Sequence, residues 1–128
     1  MRIAIDTNRY TDFMRGDAKA GEVFGRASQL VLPLPVLGEL RAGFLFGKQG
    51  PQNESVLNAF LNQSRVRVLA PDEQTTFHYA RLYRQLREQG TPIPTNDLWI
   101  ASLVAQYNLL LFSRDRHFDV IPQLARVN

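Results

Sequence analysis

Along the chain, short apolar runs alternate with stretches in which apolar residues recur every third or fourth position. Ile3 to Ile5 reads as a short buried strand, and Leu30 to Leu32, Val66 to Ala70 and Leu109 to Phe112 as three more. Between them the period changes. Tyr10, Phe13 and Met14 form one face of a short helix closed by Gly16, and Val23, Phe24 and Ala27 mark a second. Pro35 suits a helix start, since its fixed φ and missing N–H do no harm there. Pro51 opens another helix, with Asn53, Val56, Leu57, Phe60 and Leu61 on one face. The segment PDEQTTFHYARLYRQLREQG has an apolar stripe of Tyr79, Leu82, Tyr83 and Leu86, with Arg81, Arg84 and Arg87 on a solvated face and Gly90 as its stop. DLWIASLVAQY is apolar nearly all round, which predicts a buried helix. FGKQGPQN reads as a mobile loop, and the terminal ARVN as a possible fifth strand.

Strands alternating with helices predict an α/β domain with a mainly parallel sheet. The length of 128 residues, without repeats or low-complexity segments, predicts one domain spanning 1–128. An apolar content of 45% is enough for a core, and the absence of cysteine excludes disulfides and thiolate metal sites. No run is long enough to span a membrane and none resembles a signal peptide, so the expectation is a cytoplasmic protein with no membrane partner.

Four acids stand beside the apolar segments. Asp6 ends the first strand, Glu39 lies one turn into the helix after the second, Asp97 heads the buried helix, and Asp115 follows the fourth strand. In an open parallel sheet, ligands bind at the carboxyl ends of the strands, so all four can face one pocket. Each also has a plainer use: Asp6 and Asp97 as helix caps, Glu39 paired with Arg41 or another arginine at the surface, Asp115 in a turn. Together they pose an electrostatic problem, because two carboxylates about 4 Å apart repel by about 4 kcal/mol at an effective dielectric of 20. Such a group shares protons or holds a cation, and oxygen ligands favour Mg²⁺ or Mn²⁺. Asp12, Asp17, Glu22, Glu54, Asp72, Glu73, Glu88 and Asp119 are read as surface acids.

The segments IDTN, GELRAG, NDLWIA and SRDRHF, in that order, resemble the PIN-domain ribonucleases, in particular the VapC-type toxins of bacterial toxin–antitoxin pairs. The resemblance covers essentially the whole chain. It implies a doubly wound, mainly parallel sheet of four to five short strands, a homodimer, an RNA substrate and an antitoxin partner. It also implies that Asp6, Glu39, Asp97 and Asp115 bind Mg²⁺ or Mn²⁺ and catalyse hydrolysis, with Thr7, Asn8 and Ser113 supporting them by hydrogen bonds. The family's last motif often has a second acid two residues after the position of Asp115; here that residue is His117, read as a loop residue rather than a ligand.

Charge adds to this picture. The chain has 15 basic and 12 acidic residues, for a net charge of +3. Setting the four acids aside leaves a surplus of seven positive charges, an arrangement suited to a polyanion held around an acidic, metal-filled centre. Arg9, Arg15, Arg41, Arg114 and Arg116 neighbour the motifs and are the candidate RNA contacts. Two other readings compete: a different Mg²⁺-dependent phosphoryl-transfer domain, and a catalytically silent PIN-like binding module. Asp6 is followed by Thr7 and Asn8 rather than by another acid, unlike the paired acids typical of aspartyl-phosphate sites.

Overall fold

The computed structural model describes residues 1–127. Its strands are β1 (Arg2–Ile5), β2 (Gln29–Pro33), β3 (Val66–Leu69) and β4 (Leu110–Phe112). They form one all-parallel sheet in the order β3-β2-β1-β4. Each crossover is a pair of helices: α1 (Thr7–Met14) and α2 (Ala18–Arg26), then α3 (Leu34–Phe46) and α4 (Gly50–Leu61), then α5 (Glu73–Gln89) and α6 (Thr95–Tyr107). A 3₁₀ turn, Arg116–Val120, follows β4. The chain adds β2 and β3 on one side of β1, then returns to place β4 on the other. That reversal is the doubly wound topology, and its switch point lies between β1 and β4.

Local chemistry accounts for the element boundaries. β1 stops at Asp6, whose carboxylate accepts from the Thr7 N–H and caps α1. Asp72 and Thr75 exchange bonds in a capping box at the start of α5, and Gly90 ends that helix at φ 74°, a left-handed conformation that costs glycine little. The buried helix is α6, where Leu98, Ile100, Ala101, Leu103 and Val104 all lie in the core. Phe24, Phe112 and Phe118 fill the interior with Ile3, Ile5 and Leu103.

Two boundaries differ from the sequence reading. The expected loop at FGKQGPQN shrinks to three residues, Gly47 to Gln49, because α3 runs through Phe46 and α4 begins at Gly50. The reversal is tight enough that a Cβ on Gly50 would lie 2.7 Å from the Phe44 carbonyl oxygen. The fifth strand reduces to a single parallel bridge between Leu111 and Arg126; Asn128, the last residue of the expected ARVN strand, lies outside the described residues. Among the described residues, no helix is long and apolar enough to cross a membrane.

Candidate active site

Register alone brings the ends of the chain together. Ile5 pairs with Phe112, and the Asp6 N–H donates to the Phe112 carbonyl at 3.1 Å, so Asp6 and Ser113 leave the sheet side by side at the switch point. Asp6 is 4% exposed. Its Oδ1 accepts from the Thr7 N–H at 2.8 Å, and its Oδ2 accepts from the Ser113 hydroxyl and from Asn8 Nδ2. The same Ser113 oxygen accepts from the Asp115 N–H at 3.0 Å, and Asn8 Oδ1 accepts from the Arg114 N–H at 3.1 Å. Asn8 and Ser113 thus fasten the loop after β4 to the first turn of α1. Thr7 helps only through its backbone, since its hydroxyl is buried without a partner.

The other acids approach from different elements. Asp97 lies in the first turn of α6, buried, and Pro94 rather than Asp97 occupies the cap position. Glu39 projects from α3, and its Oε1 is buried with no hydrogen-bond partner. Arg41, its possible surface partner, instead makes a two-pronged pair with Glu54 at 3.0 and 3.1 Å. Asp115 accepts from the His117 N–H at the start of the 3₁₀ turn.

The charges of Asp6, Asp97 and Asp115 all act on the Glu39 carboxyl. Burial pushes the Glu39 carboxyl up to about 7, and the charges of Asp6, Asp97 and Asp115 push in the same direction. Burial likewise raises Asp6 against the bonds from Ser113 and Thr7, and raises Asp97 against its bond with His117.

His117 is not a bystander in a loop. Its Nδ1 lies 2.7 Å from Asp97 Oδ2 and 3.1 Å from Asp115 Oδ1, and its ionisation is raised chiefly by the bond to Asp97. Asp97, Asp115 and His117 each offer one ligand atom within 4.8 Å of the others. The sequence favours a loop residue over a ligand at His117, because the family pattern offers an acid there and nothing along the chain shows that Asp97 stands beside the ring.

The five arginines near the motifs behave differently from one another. Arg9 is largely buried, with its guanidinium 4.3 Å from the centre of the Phe112 ring and its NH1 3.2 Å from Asp12. Arg114 grips both Asp12 oxygens, at 2.8 and 2.9 Å. Asp12, read from the sequence as a surface acid, therefore joins α1 to the loop after β4, and the Arg114 hydrogen bond holds its carboxyl below the usual range. Arg15 and Arg116 are exposed and, among the described residues, in no ion pair. Arg126, also missed, donates to the Ser113 carbonyl at 3.1 Å and to Asp119 at 3.0 Å, which gives Asp119 a partner outside the acid group.

The model of the PIN domain matches residues 3–124. Ribonuclease VapC1 of Haemophilus influenzae (strain R2866) is 34% identical over 127 residues, covering 94% of this chain and 92% of its own length. Ribonuclease VapC2 of Rickettsia felis is 32% identical over 108 residues, covering 84% and 79%. The structure of VapBC-1 from nontypeable Haemophilus influenzae superposes with a TM-score of 0.86 at 28% identity, over 100% of this chain and 98% of that one.

Proposed function

Because the chain belongs to the PIN-domain family, we propose that it is a divalent-metal-dependent endoribonuclease and the toxin of a type II toxin–antitoxin pair. The observation that carries this reading is the convergence of Asp6, Glu39, Asp97 and Asp115 at the sheet's switch point. A cation suits the residues present. Glu39 Oε1 is buried and unpartnered beside three further carboxylates, and hard oxygen donors favour Mg²⁺ or Mn²⁺. When bound, such an ion supplies Lewis-acid chemistry, acidifying water and offsetting charge on the phosphoryl oxygens.

The chain's own residues do the rest. Asp6, Glu39, Asp97 and Asp115 hold the ion, and Thr7, Asn8 and Ser113 fix the Asp6 carboxylate so that its orientation is set before substrate arrives. Glu39, raised to about 7 in the metal-free protein, gives up its proton to take the ion, so binding near neutral pH releases a proton from this carboxyl. Arg15 and Arg116, exposed and in no ion pair among the described residues, are candidates to meet RNA phosphates; Arg114 is half exposed and can share its charge, while Arg9 and Arg41 act mainly within the protein.

Wild-type protein is expected to cut structured RNA with Mg²⁺ or Mn²⁺ and to stop in EDTA, as read by gel electrophoresis of labelled transcripts. Asp119→Asn should retain most of the activity, since its carboxylate serves Arg126. Cleavage that persists in EDTA would overturn the proposal.

The antitoxin reading has a candidate surface. Leu45 and Phe46, at the end of α3, are 87% and 94% exposed, and Phe44, Leu45 and Pro51 line an adjoining hollow with Arg41 and Lys48. Apolar side chains this open suit a protein partner. With the antitoxin encoded beside it, a Leu45→Ser, Phe46→Ser variant should bind at least about tenfold more weakly by titration calorimetry. Unchanged affinity would place the partner elsewhere. Self-association of the free protein into a homodimer belongs to the same proposal.

A further inference from the structure

We propose that His117 is a nitrogen ligand of the active-site ion and tilts the site from Mg²⁺ toward first-row transition ions such as Mn²⁺. This rests on the metal-dependent reading above. The argument is geometric. Adjacent ligand atoms around an octahedral ion with bonds of about 2.0–2.1 Å stand about 3 Å apart. His117 Nδ1 stands 2.7 Å from Asp97 Oδ2 and 3.1 Å from Asp115 Oδ1, so the nitrogen is already at the spacing of a neighbouring coordination position from each oxygen, and the three residues offer ligand atoms within 4.8 Å of one another.

The ring is held there by the fold. The His117 N–H donates to Asp115 Oδ1 at 2.9 Å, and the next residue, Phe118, is fully buried beneath the 3₁₀ turn. The ring itself is half exposed, so Nε2 can carry a proton in water, which frees Nδ1 to offer its lone pair once a cation replaces the hydrogen it now shares with the acids. A lone Nδ1 hydrogen divided between two carboxylates satisfies neither fully. A cation between them uses all three ligand atoms.

Imidazole nitrogen is a softer donor than carboxylate oxygen, and the affinity of a mixed site rises through the first-row series from Mn²⁺ to Co²⁺. Mg²⁺ gains least from nitrogen. His117 therefore contributes selectivity among ions as well as affinity.

The test compares Mg²⁺, Mn²⁺ and Co²⁺ binding to wild type and to His117→Asn, by calorimetry and by the rise in melting temperature, with pulsed EPR of the Mn²⁺ form. The variant should bind Mg²⁺ within about threefold of wild type, Mn²⁺ about tenfold more weakly, and Co²⁺ more weakly still. Wild-type Mn²⁺ should show coupling to an imidazole ¹⁴N that disappears in the variant. The chain has two histidines and the other, His78, lies on α5, so the assignment is direct. A parallel loss for all three ions, or Mn²⁺ bound without imidazole coupling, would show that His117 only hydrogen-bonds to Asp97 and would overturn the proposal. Failure of all three ions to bind wild type would instead overturn the metal-dependent reading, and this proposal with it.

Discussion

Asp6→Asn is expected to lower RNA cleavage by at least about a hundredfold, the scale on which removing one electrostatic stabiliser of a transition state acts. The reason is specific to charge. Asn caps a helix as well as Asp does and keeps an oxygen for the Thr7 N–H, so α1 should start where it does now; its NH2 can donate to the Ser113 oxygen and gives up only the long bond from Asn8. The Asp6 carboxylate is buried and its ionisation is disfavoured, so the neutral amide removes an unfavourable charge from the metal-free protein. The variant should melt no lower than wild type in EDTA at neutral pH, gain less from added Mn²⁺, and be nearly inactive. Activity within about threefold of wild type would reduce Asp6 to a helix cap.

The second large effect is on stability. Glu39 is ordinarily a carboxylate near 4.5, and in the folded chain it is raised to about 7. A group raised in this way favours folding fully below its ordinary value, and that contribution is lost as pH rises through the folded value. Metal-free wild type should therefore lose stability between about pH 5 and pH 8. Asp6, Asp97 and His117 are also raised, so their contributions fall in the same direction. Glu39→Gln keeps the shape and removes one of these terms. After allowance for solvent screening of a partly open group, it should be more stable than wild type at about pH 8 by about 1–2 kcal/mol, a rise of several degrees. Near pH 5 the two should coincide. Mn²⁺ should close the gap, because an ion that binds only the folded acids stabilises wild type by mass action. Equal melting of the two proteins at both pH values in EDTA would mean that Glu39 bears no trapped charge.

Periodicity revealed the parts of the fold that depend on neighbours in sequence. The all-round apolar character of Leu98 to Val104 marks a helix buried on every side, and Asp72 with Gly90 brackets α5 by cap chemistry that works within a few residues. The four acids were legible because each stands at the edge of an apolar segment. What the sequence concealed are pairings across the chain. Asp12 looks like one more polar position of an amphipathic helix until β4 brings Arg114 to it from 102 residues away. Arg9 looks exposed for the same reason, and it is the Phe112 ring that covers it. The short turn at Gly47 to Gln49 was hidden by composition, since Gly and Pro read as loop whether they break a helix or, as at Pro51, begin one.

The pairing of β1 with β4 also sets when the site can exist. Asp6 and Ser113 are 107 residues apart, and the bonds that hold Asp6 from outside α1 come from Ser113 and the Phe112 carbonyl, while Asn8 is itself tied to Arg114. During synthesis at about 5–20 residues per second, β1, β2 and β3 can associate while β4 has yet to appear. Closing so long a loop is among the slow steps of folding. Until it closes, Ser113 and Asp115 have not joined Asp6. On the proposed metal-dependent reading, the site is complete only once this last pairing has formed.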